Sequence, residues 1–123
     1  MRVTFRADQV VVQEMDGVLV VGGSASERAG VGDLDCIVFQ RMEGDEDGLH
    51  FEYRDQRHGG YGLVAACRLR RNRLEIDLSH SIDGLEGVDG FTVDLDIDDE
   101  AYHRFQDGLK RILDGTGPRL TVD

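Results

Sequence analysis

The chain has 123 residues, a formal net charge of -11, 40% hydrophobic residues, 16 glycines, one proline and two cysteines. One hydrophobic core serves that length, so a single domain over residues 1–123 is expected, and the apolar fraction is too high for wholesale disorder. The acidic balance disfavours nucleic acid and anionic membranes as partners, favours a basic protein, and comes with no apolar run of bilayer-spanning length.

Residues 3–5 and 10–15 read as strands, a short helical turn being the other reading of the second. Asp16 and Gly17 read as a tight turn, where glycine supplies positive φ. Residues 18–21 form a continuous apolar strand, expected to be buried on both faces. Residues 22–32 are a loop by composition. In the next strand, 34–41, Ile37 and Phe39 share one face and Cys36 and Val38 the other, which places it in the middle of a sheet. Residues 42–48 form an acidic loop with Glu43, Asp45, Glu46 and Asp47. Leu49, Phe51 and Tyr53 then alternate with His50, Glu52 and Arg54 in a half-buried strand, and residues 55–62 are polar and glycine-rich.

The best-defined unit follows. A two-residue turn at Arg71 and Asn72 pairs Arg70 with Arg73, Leu69 with Leu74, Arg68 with Glu75, Cys67 with Ile76 and Ala65 with Leu78. Apolar pairs fall on one face and an Arg–Glu pair on the other, so a one-residue slip is penalised. The turn type stays open, because Arg71 is a poor residue for positive φ. In residues 91–97, Phe91, Val93, Leu95 and Ile97 face inward, with Thr92, Asp94 and Asp96 outward. A helix begins at Asp98 or Asp99, with Glu100 at its positive end and Lys110 and Arg111 at the other. Tyr102, Phe105, Leu109, Ile112 and Leu113 form its apolar stripe, and Gly115 ends it. Residues 116–123 are a frayed tail or an added edge strand.

Reactive motifs are not found. The acids from Asp94 to Glu100 imitate a calcium loop, but Asp99 and Phe105 stand where glycine and glutamate belong. His50, His58, His80 and His103 lack paired ligand spacing, so no metal, cofactor or catalytic residue is assigned. Gly22 to Ser26 fails as a nucleophile elbow, and the glycines at 59–62 lack the lysine of a phosphate loop. Cys36 and Cys67 read as small buried thiols; two cysteines at this spacing do not establish a disulfide. The apolar run at 10–12 is too short for a secretory signal, and a reduced cytoplasmic protein is expected.

Glu75, Asp77, Asp94 and Asp96 all point outward. If their strands are neighbours, four carboxylates share a surface, and like charges directly opposite cost about 0.2–1 kcal/mol per pair. Either the strands are apart, or the face serves a cationic partner; a merely solvated face is the plainer reading. Tyr53, Tyr61, Arg68 and Arg70 are candidate anchors for such a partner.

The run from Cys36 to Arg41, the strand around His50, Phe51, Glu52 and Tyr53, and the Gly59-Gly60-Tyr61-Gly62 opening together resemble the bacterial Immunity protein 10 family. The leucine-rich hairpin from Leu69 to Leu78 and the acid-led helix complete the resemblance, which spans residues 34–115. It implies a cytoplasmic antidote that binds a toxin domain of a polymorphic toxin system stoichiometrically, without turnover. The fold expected is α+β: a mainly antiparallel, curved meander with one C-terminal helix packed on a face. The partner-binding residues expected are Glu75, Asp77, Asp94, Asp96, Arg68, Tyr61 and Tyr53. A small-ligand or regulatory binding module using the sheet surface is the alternative, marked by an apolar pocket with convergent polar groups. A divergent enzyme is the third.

Overall fold

A computed structural model describes residues 1–25, 35–42 and 48–123, the side chains of residues 55 and 56 excepted. The expected acidic run at Glu43, Asp45, Glu46 and Asp47, the strand start at Leu34 and most of the 22–32 loop lie outside the described residues. The elements in chain order are β1 (Arg2–Ala7), β2 (Gln9–Met15), β3 (Val18–Ser24), β4 (Cys36–Met42), β5 (His50–Tyr53), β6 (Asp55–Tyr61), β7 (Val64–Arg70), β8 (Arg73–Leu78), β9 (Gly90–Leu95), α1 (Asp99–Leu113) and β10 (Arg119–Val122).

The strands form two five-stranded sheets. An antiparallel sheet runs β2-β3-β4-β5-β6 in chain order, and a mixed sheet runs β1-β9-β8-β7-β10. In the mixed sheet β1 joins β9 and β10 joins β7, both in parallel. The β2–β3 hairpin closes on Asp16 and Gly17 with φ of 53° and 79°, the sign that a two-residue hairpin turn favours. Met15 accordingly pairs with Val18.

Period-two alternation turns one face of each sheet inward. Phe51 and Tyr53 of the antiparallel sheet meet Phe91 of the mixed sheet, with ring centroids 5.5 and 4.9 Å apart. Phe5 meets Tyr53 at 6.2 Å, and Ile37, Phe39, Leu69, Leu74 and Ile76 fill the same core without solvent exposure.

The helix completes that core. Asp98 caps it, its carboxylate accepting the Ala101 N–H at 2.8 Å, and Asp99 and Glu100 occupy the first turn. Tyr102, Phe105, Leu109, Ile112 and Leu113 are all buried, as the stripe predicts. The helix packs over β2, β3 and β4 and reaches β10 of the other sheet. Gly108 makes the approach possible: a Cβ there would sit 2.9 Å from one Val12 methyl and 3.2 Å from a Val21 methyl. Mid-helix glycine costs roughly 1 kcal/mol against alanine, and the close seat on β2 and β3 offsets it.

The α+β class, the antiparallel bias and the closing helix match expectation; the division into two sheets is new. Some local readings change, and others that were left open are settled. β3 is buried on one side only, since Val21 is fully buried while Val18 and Val20 are half-exposed on the other face. The 10–15 segment is a strand, and the glycine-bearing stretch after residue 54 becomes β6. The tail is an edge strand. The β7–β8 register holds from Arg70–Arg73 to Cys67–Ile76, but a bulge then sets Val64, not Ala65, against Leu78. Arg71 and Asn72 make their turn without positive φ.

Gly108→Leu is expected to lower unfolding free energy by about 1–3 kcal/mol by overpacking the seat, and Val12→Ala in the same chain to recover part of the loss. Urea denaturation reads both; an unchanged midpoint in the single variant means that α1 does not rest on Val12.

Candidate partner-binding surfaces

The outer face of the mixed sheet carries charge in alternating signs. Antiparallel register sets Arg73 opposite Asp94 and Glu75 opposite Thr92 across β8–β9, and Arg68 opposite Glu75 across β7–β8. Arg73 pairs with Asp94 at 3.1 Å, Arg2 with Asp77 at 2.8 Å and Arg70 with Asp123 at 3.2 Å, and Arg6 pairs with Asp96. Arg2 lies flat on the sheet, donating to the Ile76 and Phe91 carbonyls at 3.1 and 3.0 Å. It can do so because residue 90 is glycine; a Cβ there would fall 2.4 Å from its Nη1.

The two strands are therefore neighbours and the expected carboxylates share one surface. No two carboxylates stand directly opposite, because an arginine or glycine faces each aspartate of β8 and β9; the like-charged pair that does face across the strands is Arg70 and Arg73. Arg2, Arg6, Arg68, Arg70, Arg73 and Arg119 face Glu75, Asp77, Asp94, Asp96 and Asp123. The face is close to neutral, and its exposed pairs contribute at most about 1 kcal/mol each. Exposed acid concentrates instead on α1 and its ends, at Asp98, Asp99, Glu100, Asp107 and Asp114, and in the β8–β9 connection at Asp83, Glu86 and Asp89.

The outer face of the antiparallel sheet is of another kind. Val11, Met15, Met42 and Tyr61 lie there with 37, 66, 55 and 49% exposure, and among the described residues Met1 is the remaining large apolar side chain so exposed. Register lines them up: Met15, Val18 and Met42 form one row, and Val11, Gly22 and Val38 another. Tyr61 meets His50 edge-on at 5.0 Å. An open dent of about 300 Å³ between Val11, Gly22, Cys36 and Val38 lies at the end of the face where β2 and β4 begin and β3 ends. Across the outward positions of β2 to β5, Glu52 is the one formal charge.

Between these faces sits a polar cluster. The Tyr53 hydroxyl donates to Asp35 at 2.5 Å, and Arg54 donates to the same carboxylate oxygen through Nε and Nη2 at 3.0 and 2.8 Å. Arg54 holds a φ of 68°, its N–H donating to the Cys36 carbonyl at 2.9 Å and its guanidinium 5.2 Å from the Tyr53 ring centre. Burial, and then the bond to Asp35, push the Tyr53 phenol up to about 12.

Both thiols are free. Burial pushes the Cys67 thiol up to about 12; Cys36 is half-exposed and is raised chiefly by burial too. The His58 ring lies against Gly84 with a buried Nδ1 that has no hydrogen-bond partner. Among the described residues no group of three His, Cys, Asp or Glu side chains is placed to hold a metal ion, and no helix is long and apolar enough to cross a membrane.

The seven expected site residues thus fall in three places. Glu75, Asp77, Asp94, Asp96 and Arg68 share the mixed sheet's outer face, Tyr61 stands on the opposite side of the sandwich, and Tyr53 is 5% exposed within the core. Strand alternation turns Tyr53 inward with Phe51, so its ring is not available as a surface anchor. Sequence reasoning passed over Val11, Met15, Val20, Val38 and Met42. For Val38 and Val20 the signal is the second apolar face of residues 36–39 and 18–21, which reads as burial but here meets solvent in part.

Two contrasting sheet faces enclose one shared core. The profile of Immunity protein 10 matches residues 6–103, and the chain belongs to that family. The match takes in all of β2 to β9, beginning well before residue 34, where the resemblance in sequence starts, and ends in the first turns of α1. No curated protein and no solved structure matches the chain.

The raised pKa values set an alkaline limit. In the unfolded chain a thiol and a phenol ionise near about 8.5 and 10, whereas in the fold Cys67 and Tyr53 hold their protons to about 12. Their contribution is fully present below the unfolded values and is lost as pH rises through the folded ones. Stability measured by urea denaturation should therefore fall between about pH 8 and pH 12, less steeply in Tyr53→Phe in the upper part of that range. An identical slope in both proteins rules Tyr53 out as a source.

Proposed function

We propose that this protein is an antidote: it binds a cognate bacterial toxin domain in the cytoplasm and neutralises it stoichiometrically, without turnover. Membership of the Immunity protein 10 family over residues 6–103 is the observation that carries the reading. The physical properties agree with it. A core in which ten strands and a helix pack together offers surfaces that need little reordering on binding, which lowers the entropic cost of association. A net charge of -11 draws a basic toxin in at rates above the ordinary range for protein pairs. A standard interface takes about 800 Å² from each partner, a modest share of the 7133 Å² that this chain exposes.

The test takes the product of the open reading frame immediately upstream of this one as the candidate toxin domain. Co-expression should restore growth, the two proteins should co-purify, and titration should abolish toxin activity in a straight line that ends at one equivalent. Full protection at far less than one equivalent points to turnover, and neither rescue nor a complex sinks the reading.

A further inference from the structure

The geometry points to the outer face of the antiparallel sheet as the seat of the toxin domain, covered by an apolar patch of the toxin that is itself surrounded by lysine and arginine. This rests on the antidote reading and goes beyond it by choosing the face and the chemistry of what covers it.

Three observations converge on that face. Of the five large apolar side chains that are most exposed among the described residues, four (Val11, Met15, Met42 and Tyr61) lie on it. Exposed apolar side chains scattered singly need no explanation, but a contiguous group marks an interaction surface. Second, charge is depleted in the centre. A chain with 25 acidic and 14 basic residues places a single formal charge, Glu52, on the outward positions of β2 to β5, with the exposed Arg57 on the edge strand β6. Interface centres have this composition, poor in charge and rich in methionine and aromatic residues. The opposite face shows the contrast, its outward positions filled with Arg–Asp pairs that already satisfy one another. Third, the extent suits the centre of an interface, whose rim the neighbouring loops would complete. Five strands about 4.8 Å apart and up to seven residues long give a face of roughly 20 by 20 Å in projection.

Charge decides between occupants. Two copies meeting face to face bring together two chains of -11 each, with a Glu52 on each meeting face, and repel. A partner whose apolar patch is surrounded by basic residues gains in the same geometry: apolar contact with the face, and attraction to a chain of strong negative charge.

The test introduces charge where the side chains are already exposed, so that folding is spared. Met15→Lys with Met42→Lys, and separately Tyr61→Ala, are compared with the wild type and with a charge exchange on the opposite face, Arg68→Glu with Glu75→Arg. Thermal melts confirm that each variant is folded, and calorimetry with the purified toxin domain reads the affinity. The lysine pair is expected to weaken binding by at least about 100-fold and Tyr61→Ala by about 30-fold, with the charge exchange within about threefold of wild type. Met15→Glu with Met42→Glu should lose less than the lysine pair, since the partner's surround is basic.

Wild-type affinity in the lysine pair, with growth rescue intact, overturns the chosen face and leaves the antidote reading standing. Loss confined to the charge exchange does the same in favour of the mixed sheet. A wild type that is a dimer in solution, made monomeric by the lysine pair with toxin binding unchanged, assigns the face to a second copy and also overturns the inference. If the wild type itself neither binds nor protects, both readings fall.

Discussion

The arrangement turns on the contact of Phe51 and Tyr53 with Phe91 across the gap between the sheets. These rings sit in the tilted geometry that aromatic pairs prefer, and they fix the spacing at which both inner faces are dry. Once that spacing is set, α1 has one place to go. It lies over β2 to β4, and Gly108 brings its backbone down onto Val12 and Val21. The core then consists of inward residues from every strand but β6, plus one helical stripe, and none of the outward apolar positions belongs to it.

That freedom explains why the two outer faces differ so much. On the mixed sheet, register converts a potentially repulsive set of carboxylates into alternating pairs with arginines. Exposed pairs of this type add little to stability, so their value lies in keeping a β-surface soluble and unattractive to other proteins. On the antiparallel sheet the same surface area carries valines, methionines and a tyrosine. Nothing in the packing requires them, because Ile37, Phe39 and Phe51 supply the core from the opposite side of the same strands. An apolar surface kept without a structural reason is the usual mark of a partner.

Much of this was legible in the residues. The β7–β8 hairpin register, the inward set of β9 and the helix with its cap and stripe follow from local periodicity and turn chemistry, which tertiary packing here reinforces. The division into two sheets was not legible, because it depends on parallel pairings between β1 and β9 and between β10 and β7, for which sequence carries no local signal. The site suffered for a related reason. Outward carboxylates are visible in a sequence but the arginines opposite them are visible only through register, so the mixed face looked acidic. Tyr53 looked like an anchor because alternation alone does not say which face of a strand meets a second sheet.

The connectivity has a consequence for how the molecule comes into being. All five strands of the antiparallel sheet are drawn from residues 9–61 and each pairs with its successor, so every join is short-range. β1 precedes them in the chain yet waits for β9, at Gly90–Leu95, before it has a neighbour to bond with. During synthesis the antiparallel half, with its apolar outer surface, can therefore assemble on the ribosome while its inner surface is still open to solvent. A nascent chain is at its stickiest in that interval, and the excess of acid over base gives it electrostatic protection until the remaining strands and the helix close over it.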